Sequence, residues 1–370
     1  MGFIRKTPAG RHRACWRDPA GRQRSKTFRT KREANAFLAE VESALNRGTY
    51  IAPDAGRVRF ADYAARWLAA RNDEKATAAR DASIMRNHVL PRWGALPLAK
   101  IEHSAVQAWV TNLGERLSPA TVAECHRLTS GVMRSAVRDR LIGFNPCEGF
   151  RLPPRRRKDT DDQIISREEL LTKLLPAVPT RYRALVALAA GTGLRWGECA
   201  GLRWDAIDLP AGVVRVVRVA EEVSGYVTMK PYPKSKAGRR TVPLPQFVMQ
   251  LLTEHVGRFG KDDDGLVFTT GTGEPIRRGT FRSRVWKPSL HRAGLPVALR
   301  FHDIRHSYAT WLVSDGVPIN DVAKVMGHEQ TSTTLNRYTH STAERDRRVL
   351  ASFAAFSLPL ITDSDHQKRG

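Results

Sequence analysis

Seven consecutive residues near the middle of the chain, Leu152-Pro153-Pro154-Arg155-Arg156-Arg157-Lys158, most constrain how it can fold. Two adjacent prolines lack backbone donors and resist helix, while four successive positive charges repel one another and extend the backbone. No helix and no central strand can run through such a segment. The chain is therefore expected to divide here. A length of 370 residues suits two or three domains at about 100–200 residues each.

The stretches on either side differ in pattern. In residues 1–57, Arg11 to Arg17 and Arg22 to Arg29 read as two strands around the turn Asp18-Pro19-Ala20-Gly21. Thr30-Lys31-Arg32-Glu33 is a capping box, opening a helix that Gly48 would close. Residues 58–152 read as all helix: Phe60, Tyr63, Ala64, Trp67 and Leu68 share one helical face. Ser118-Pro119 is an N-cap followed by proline at the first helical position, and Val122, Cys125, Leu128, Val132, Met133 and Val137 form the apolar stripe behind it. Such stripes are core. Residues 153–162 make the basic linker.

Residues 163–345 are the largest unit, with a capping box at Ser166–Glu169 and helices expected near 167–176, 180–191 and 195–202. Val213–Val219, Tyr226–Met229 and Arg239–Pro243 read as one short antiparallel sheet, after which helices return. A tail, 346–370, carries Val349, Leu350, Phe353, Phe356, Leu358, Leu360 and Ile361. The expected fold is multidomain and mainly α with small β-sheets. It comprises a small N-terminal β-ribbon-plus-helix module, a helical domain and a larger α+β domain.

Charge narrows the partner. The chain has 61 Lys and Arg against 37 Asp and Glu, a formal net charge of +24. Solubility asks for a magnitude of only about 2–8 in a small domain, so a polyanion is the expected partner. Arginine dominates, and its planar fork suits phosphate oxygens. Residues 1–60 alone hold 14 Lys and Arg against 5 Asp and Glu. Arg11, Arg13, Arg22, Arg24 and Lys26 on the ribbon, with Arg155, Arg156, Arg157 and Lys158 in the linker, are the candidate DNA contacts. There is no apolar run of about 18 residues for a membrane span and no apolar signal core at the N-terminus. Cys15, Cys125, Cys147 and Cys199 match no zinc spacing. A reduced, cytoplasmic protein associated with the nucleoid is expected, with no membrane partner.

Four segments carry chemistry. His302 and Arg305 lie three residues apart in Leu299–His306 and share a helical face, a pairing that suits a phosphoryl centre. His302-Asp303-x-x-His306 also resembles a zincin helix, with Asp for Glu and no third ligand at a convincing spacing. Gly191-Thr192-Gly193-Leu194-Arg195-Trp196-Gly197-Glu198 sets Arg195 at a helix start, with Glu198 either its buried partner or a surface residue. Lys234-Ser235-Lys236-Ala237-Gly238-Arg239-Arg240 reads as a basic hairpin tip, and Gly327-His328 precedes Arg337-Tyr338 by ten residues.

Taken in order, Gly-Leu-Arg-x-Gly-Glu, a hairpin lysine, His-x-x-Arg, Gly-His and Arg-Tyr resemble the catalytic set of the tyrosine recombinases, the lambda-type phage integrase family. The resemblance is specific over about 160–340. Over 58–150 it is looser, resembling the family's helical core-binding domain, and residues 1–57 resemble the three-stranded arm-binding domain of some integrases. It implies that 163–345 is catalytic and that the chain cleaves and rejoins duplex DNA at attachment sites, integrating or excising a phage or mobile element. It further implies that Arg195 and Arg305 clamp the scissile phosphate, His302 and His328 assist, Lys236 protonates the departing 5′ oxygen and Tyr338 attacks. The product is a 3′-phosphotyrosyl bond, which keeps the phosphodiester energy and requires neither ATP nor metal nor other cofactor. Lys234 and Lys230 remain alternatives for the lysine. A homotetramer in the synaptic complex, a DNA-bending accessory protein, an excision factor and a tail docked on a neighbouring protomer or in cis also follow from the resemblance. Rival readings are a relaxing topoisomerase or resolvase, a DNA-binding regulator without catalysis, and a zinc hydrolase built on His302 and His306.

Overall fold

The computed structural model describes residues 2–149, 152–153, 163–231, 238–261 and 265–327, arranged in two compact units, Met1–Arg157 and Lys158–Gly370. No described helix is long and apolar enough to cross a membrane.

The first unit opens with an antiparallel sheet in the order β1 (Phe3–Lys6), β2 (His12–Arg17), β3 (Gln23–Phe28). Two strands were expected and three are found. The first is only four residues long, two of them charged, and Ile4 alone packs on the core beneath, so it carries little pattern. The turn between β2 and β3 forms where expected: Asp18 Oδ1 accepts the Arg22 N–H at 2.9 Å, and Gly21 takes φ +77. Helix α1 (Lys31–Asn46) begins at the capping box, with Thr30 Oγ1 accepting from Glu33 N–H and Glu33 Oε2 from Thr30 N–H. Its Ala34, Leu38 and Val41 pack on Ala14 and Trp16 of the sheet, and the Trp16 indole donates to the Tyr50 hydroxyl at 2.7 Å.

The rest of this unit is helical: α2 (Phe60–Ala69), α3 (Lys75–Ile84), α4 (Leu90–Trp93), α5 (His103–Arg116) and α6 (Pro119–Arg138). A π-helical turn, Met85–Val89, joins α3 to α4. The expected stripes are the core: Phe60, Tyr63 and Ala64 of α2 meet Val122, Cys125, Leu128, Val132 and Met133 of α6 around Trp93 and Trp109. Ser118 caps α6 as expected, accepting from Thr121 N–H.

The second unit is built on α9 (Thr180–Thr192), in which every residue from Ala184 to Thr192 is buried. Before it come α7 (Arg167–Glu169) and α8 (Leu175–Ala177), joined by the π-helical turn Leu170–Leu174. After it come α10 (Trp196–Ala200) and five strands: β4 (Ile207–Asp208), β5 (Val213–Val216), β6 (Val219–Val223), β7 (Tyr226–Lys230) and β8 (Arg240–Pro243). The single sheet expected here is two. One runs β4-β5-β8; β6 and β7 form a separate hairpin. β6 instead packs closely on α10: a Cβ on Gly197, or on Gly201 just beyond the helix, would lie 2.6 Å from the Ala220 carbonyl oxygen and 2.5 Å from the Ala220 nitrogen respectively, an approach that only glycine permits. Helices α11 (Gln246–Phe259), α12 (Arg278–Phe281), α13 (Lys287–Arg292), α14 (Phe301–Ser314) and α15 (Ile319–Met326) complete the unit, with a π-helical turn, Arg282–Trp286, between α12 and α13. Trp311 and Ser307 of α14 take the Ile165 carbonyl and N–H, tying the start of the unit to its end.

Candidate active site and DNA-binding surfaces

The Gly191–Glu198 segment folds as its glycines require. Gly193 ends α9 with φ +63, where a side chain is strained, and a Cβ there would sit 2.4 Å from Tyr308 Cδ1. The chain then turns directly into α10 with Arg195 at the N-cap. Glu198, one turn on, is the buried partner: its side chain is 3% exposed. Oε2 accepts the Arg195 backbone N–H at 2.9 Å and Oε1 accepts Arg195 Nη1 at 2.9 Å. Arg240 of β8 completes the set, Nη1 to Oε1 at 3.2 Å and Nη2 to Oε2 at 2.9 Å. Burial by itself would push the Glu198 carboxyl up. The hydrogen bonds and charge of Arg240, with the charge of Arg195, outweigh it and hold the group below the ordinary glutamate range.

Arg305 is wholly buried on α14 and donates to the Gly193 and Met326 carbonyls. Met326 ends α15, and its neighbours are served in the same way: Arg240 Nε donates to the Val325 carbonyl at 2.6 Å and Arg195 Nη2 to the Gly327 carbonyl at 3.0 Å. A helix C-terminus leaves its last carbonyls without intrahelical partners and carries partial negative charge. Here three arginines from α10, β8 and α14 take three successive carbonyls. Among the described residues the hub holds three cations, Arg195, Arg240 and Arg305, against the Glu198 carboxylate, a net positive centre.

His302 is exposed on the first turn of α14 and faces a cleft of 1320 Å³ that Arg195 and Glu198 also line. The β6–β7 hairpin and α12 supply the other walls, with Arg278, Arg282 and Arg300 adding charge. Glu222 Oε2 accepts the Arg278 N–H at 2.8 Å, fastening the hairpin to α12. His302 and His306 meet edge to face with ring centroids 4.7 Å apart, and His306 is buried. Among the described residues no three or more His, Cys, Asp or Glu come together as a metal site.

Of the six residues expected in the site, Arg195 and His302 line the cleft together, while Arg305 lies buried behind them in the arginine hub. Lys236 (with its alternative Lys234), His328 and Tyr338 lie outside the described residues, as do Arg155, Arg156, Arg157, Lys158 and the tail. Arg240 was not singled out beforehand. A signal for it existed: in β8, alternate residues share a face, and Arg240 lies two before the buried Val242.

The ribbon residues divide by strand register. Arg13 stands opposite Arg5 and Thr27 on one face, and Arg17 opposite Gln23 on the same face. Arg24 and Lys26 stand opposite Trp16 and Ala14, on the face turned to α1. Arg24 is engaged internally, bridging Asp18 and Asp54 at 2.9 Å each, and the Lys26 ammonium lies 4.8 Å from the Phe37 ring centroid. Arg11 and Arg22 are exposed at the strand ends.

Comparison with known proteins gives the following matches. The model of the phage integrase family matches residues 166–345, that of the phage integrase N-terminal domain residues 1–47, and that of the phage integrase central domain residues 60–152. A tyrosine recombinase XerC-like protein of Caldanaerobacter subterraneus subsp. tengcongensis is 31% identical over 356 residues, covering 88% of this chain and 90% of that one. A putative prophage phiRv2 integrase of Mycobacterium tuberculosis is 30% identical over 363 residues, covering 95% and 94%. Among solved structures, the Tn1549 transposon integrase in complex with a circular intermediate DNA superposes with a TM-score of 0.69 at 23% identity, over 80% of this chain and 99% of that one. A lambda integrase dimer bound to a COC′ core site does so at 0.60 and 18%, over 97% of each.

Proposed function

The chain belongs to the phage integrase family and is a site-specific tyrosine recombinase, a DNA breaking and rejoining enzyme; from that premise we propose how its own residues divide the work. Arg195 and Arg305 hold the scissile phosphate and offset its charge. His302, at the cleft, exchanges or shares a proton, and His328 donates to a phosphate oxygen. Tyr338 attacks phosphorus, the P–O bond to the 5′ oxygen breaks, and Lys236 gives that oxygen a proton. The resulting 3′-phosphotyrosyl bond is opened in turn by the 5′ hydroxyl of a partner strand, which restores the phosphodiester and frees the tyrosine.

The observation that carries this reading is the arginine hub beside a cleft that exposes His302. A phenol titrates near 10 in water and is a weak nucleophile at neutral pH. Fixed cations that meet charge as it develops on phosphorus lower the barrier, and losing one such donor typically costs on the order of 10²–10³ in rate. Lysine, with an ordinary pKa of about 10.4, is charged and able to protonate an alkoxide.

We extend the proposal to the whole chain. Residues 1–57 bind arm-type DNA, with Arg5, Arg13 and Arg17 on the face of the sheet turned away from α1 and Arg11 and Arg22 beside it. Residues 58–152 bind core DNA, 153–162 follow the duplex backbone, 163–345 perform the chemistry and 346–370 dock on a protomer. A lambda integrase tetramer bound to a Holliday junction, alike in fold, supports a tetrameric assembly; in our reading it acts on two attachment sites within the nucleoid. A DNA-bending protein and an excision factor are its expected helpers. Tyr338→Phe should still bind the site, located by footprinting DNA that flanks the gene, and form no covalent adduct on a nicked duplex. If that variant traps DNA as the wild type does, Tyr338 is not the nucleophile.

A further inference from the structure

Arg240, though part of the hub, is assigned no step in the chemistry above, yet its surroundings are unusually complete. Its side chain is 7% exposed. It donates to both oxygens of Glu198, to the Val325 carbonyl at 2.6 Å and to the Gly238 carbonyl at 3.0 Å. It therefore joins β8, α10 and the C-terminus of α15. Arg195, 40% exposed, lines the cleft, and Arg240 does not. The two arginines share one carboxylate but face different surroundings.

Removing one partner of a buried ion pair leaves the other charge uncompensated. Without Arg240, the Glu198 carboxylate would have only Arg195 to neutralise it. Arg195 would then be drawn onto Glu198, at the expense of an incoming phosphate. The Val325 carbonyl would lose its donor as well, loosening the end of α15.

We infer that Arg240 is a positioning residue for strand cleavage: it takes up the Glu198 carboxylate and the end of α15, so that Arg195 is presented to the scissile phosphate. The inference rests on the reading that Tyr338 attacks that phosphate.

The test is single-turnover covalent trapping by the full chain on a nicked duplex carrying the footprinted site, at saturating protein, with DNA affinity measured separately. Arg240→Gln should slow adduct formation by about 10- to 100-fold, with affinity kept within about threefold. Glu198→Gln placed on top should recover a large part of that loss, because the uncompensated charge is gone. A merely structural Arg240 would make the double variant slower still. Arg240→Lys keeps the charge but not the two-pronged geometry, and should fall between Arg240→Gln and wild type. An Arg240→Gln rate within about twofold of wild type, or a double variant slower than the single, overturns the inference. Should Arg240→Gln fail to fold by circular dichroism, Arg240→Lys decides: a wild-type rate overturns the inference and a slower one sustains it. Failure of the underlying reading looks different, since the wild type itself would then yield no Tyr338-dependent adduct.

Discussion

Gly193 shows how much of the hub depends on a missing side chain. Its φ of +63 and the 2.4 Å that would separate a Cβ from Tyr308 Cδ1 demand glycine twice over. Its carbonyl accepts from Arg305, so its backbone also holds a cation in place. Gly193→Ala should cost about 2–5 kcal/mol, from left-handed strain and overpacking together. Urea unfolding would read this as a lower midpoint at constant slope, and an unchanged midpoint would show that Tyr308 moves aside freely. Glu198 makes the complementary point. A carboxylate that accepts four N–H bonds is satisfied in spite of its burial, and Glu198 reaches both its own helix N-terminus and β8.

Two elements place the hub. α10 is only five residues long, and Gly197, with Gly201 just after it, lets it lie against the Ala220 backbone of β6, whose hairpin with β7 is a cleft wall. α15 brings its C-terminal carbonyls to three arginines, so the helix end is satisfied by the site and the site is oriented by the helix end. At the other end of the chain, the N-terminal sheet has two faces with different duties. Arg5→Ala, Arg13→Ala and Arg17→Ala should each weaken binding of the full chain to arm-type duplex by about 1–3 kcal/mol, the range of a good groove contact. Lys26→Ala should leave affinity nearly unchanged, and Arg24→Ala should lower the melting temperature by releasing Asp18 and Asp54. Fluorescence anisotropy separates the cases. Equal losses for Lys26 and Arg13 would mean that the register does not define the binding face.

On the scale of the whole molecule, a net charge of +24 predicts binding driven by release of counterions. The logarithm of affinity should fall with the logarithm of salt at about −0.9 per neutralised phosphate on duplex DNA. A flat response would remove the backbone-dominated interface. Much of the architecture was legible at the outset because it is written locally. Capping boxes at Thr30 and Ser166 span three residues, apolar stripes recur each turn, and the Pro-Pro-Arg run breaks the pattern by itself. The ordered polar motifs were legible for the same reason, each lying within a few consecutive residues. Where the local pattern thinned, expectation failed: β1 is too short to show alternation, and the break between β5 and β6 falls inside a run that reads as one strand, where β6 packs on α10 instead. The sequence alone thus determined the caps, the stripes and the order of the polar motifs. Only the tertiary structure decided that Arg240 meets Glu198, 42 residues away, and Val325, 85 away. Local periodicity records which face of an element is buried, whereas the partner met on that face depends on how α9, α10, β8 and α15 pack together.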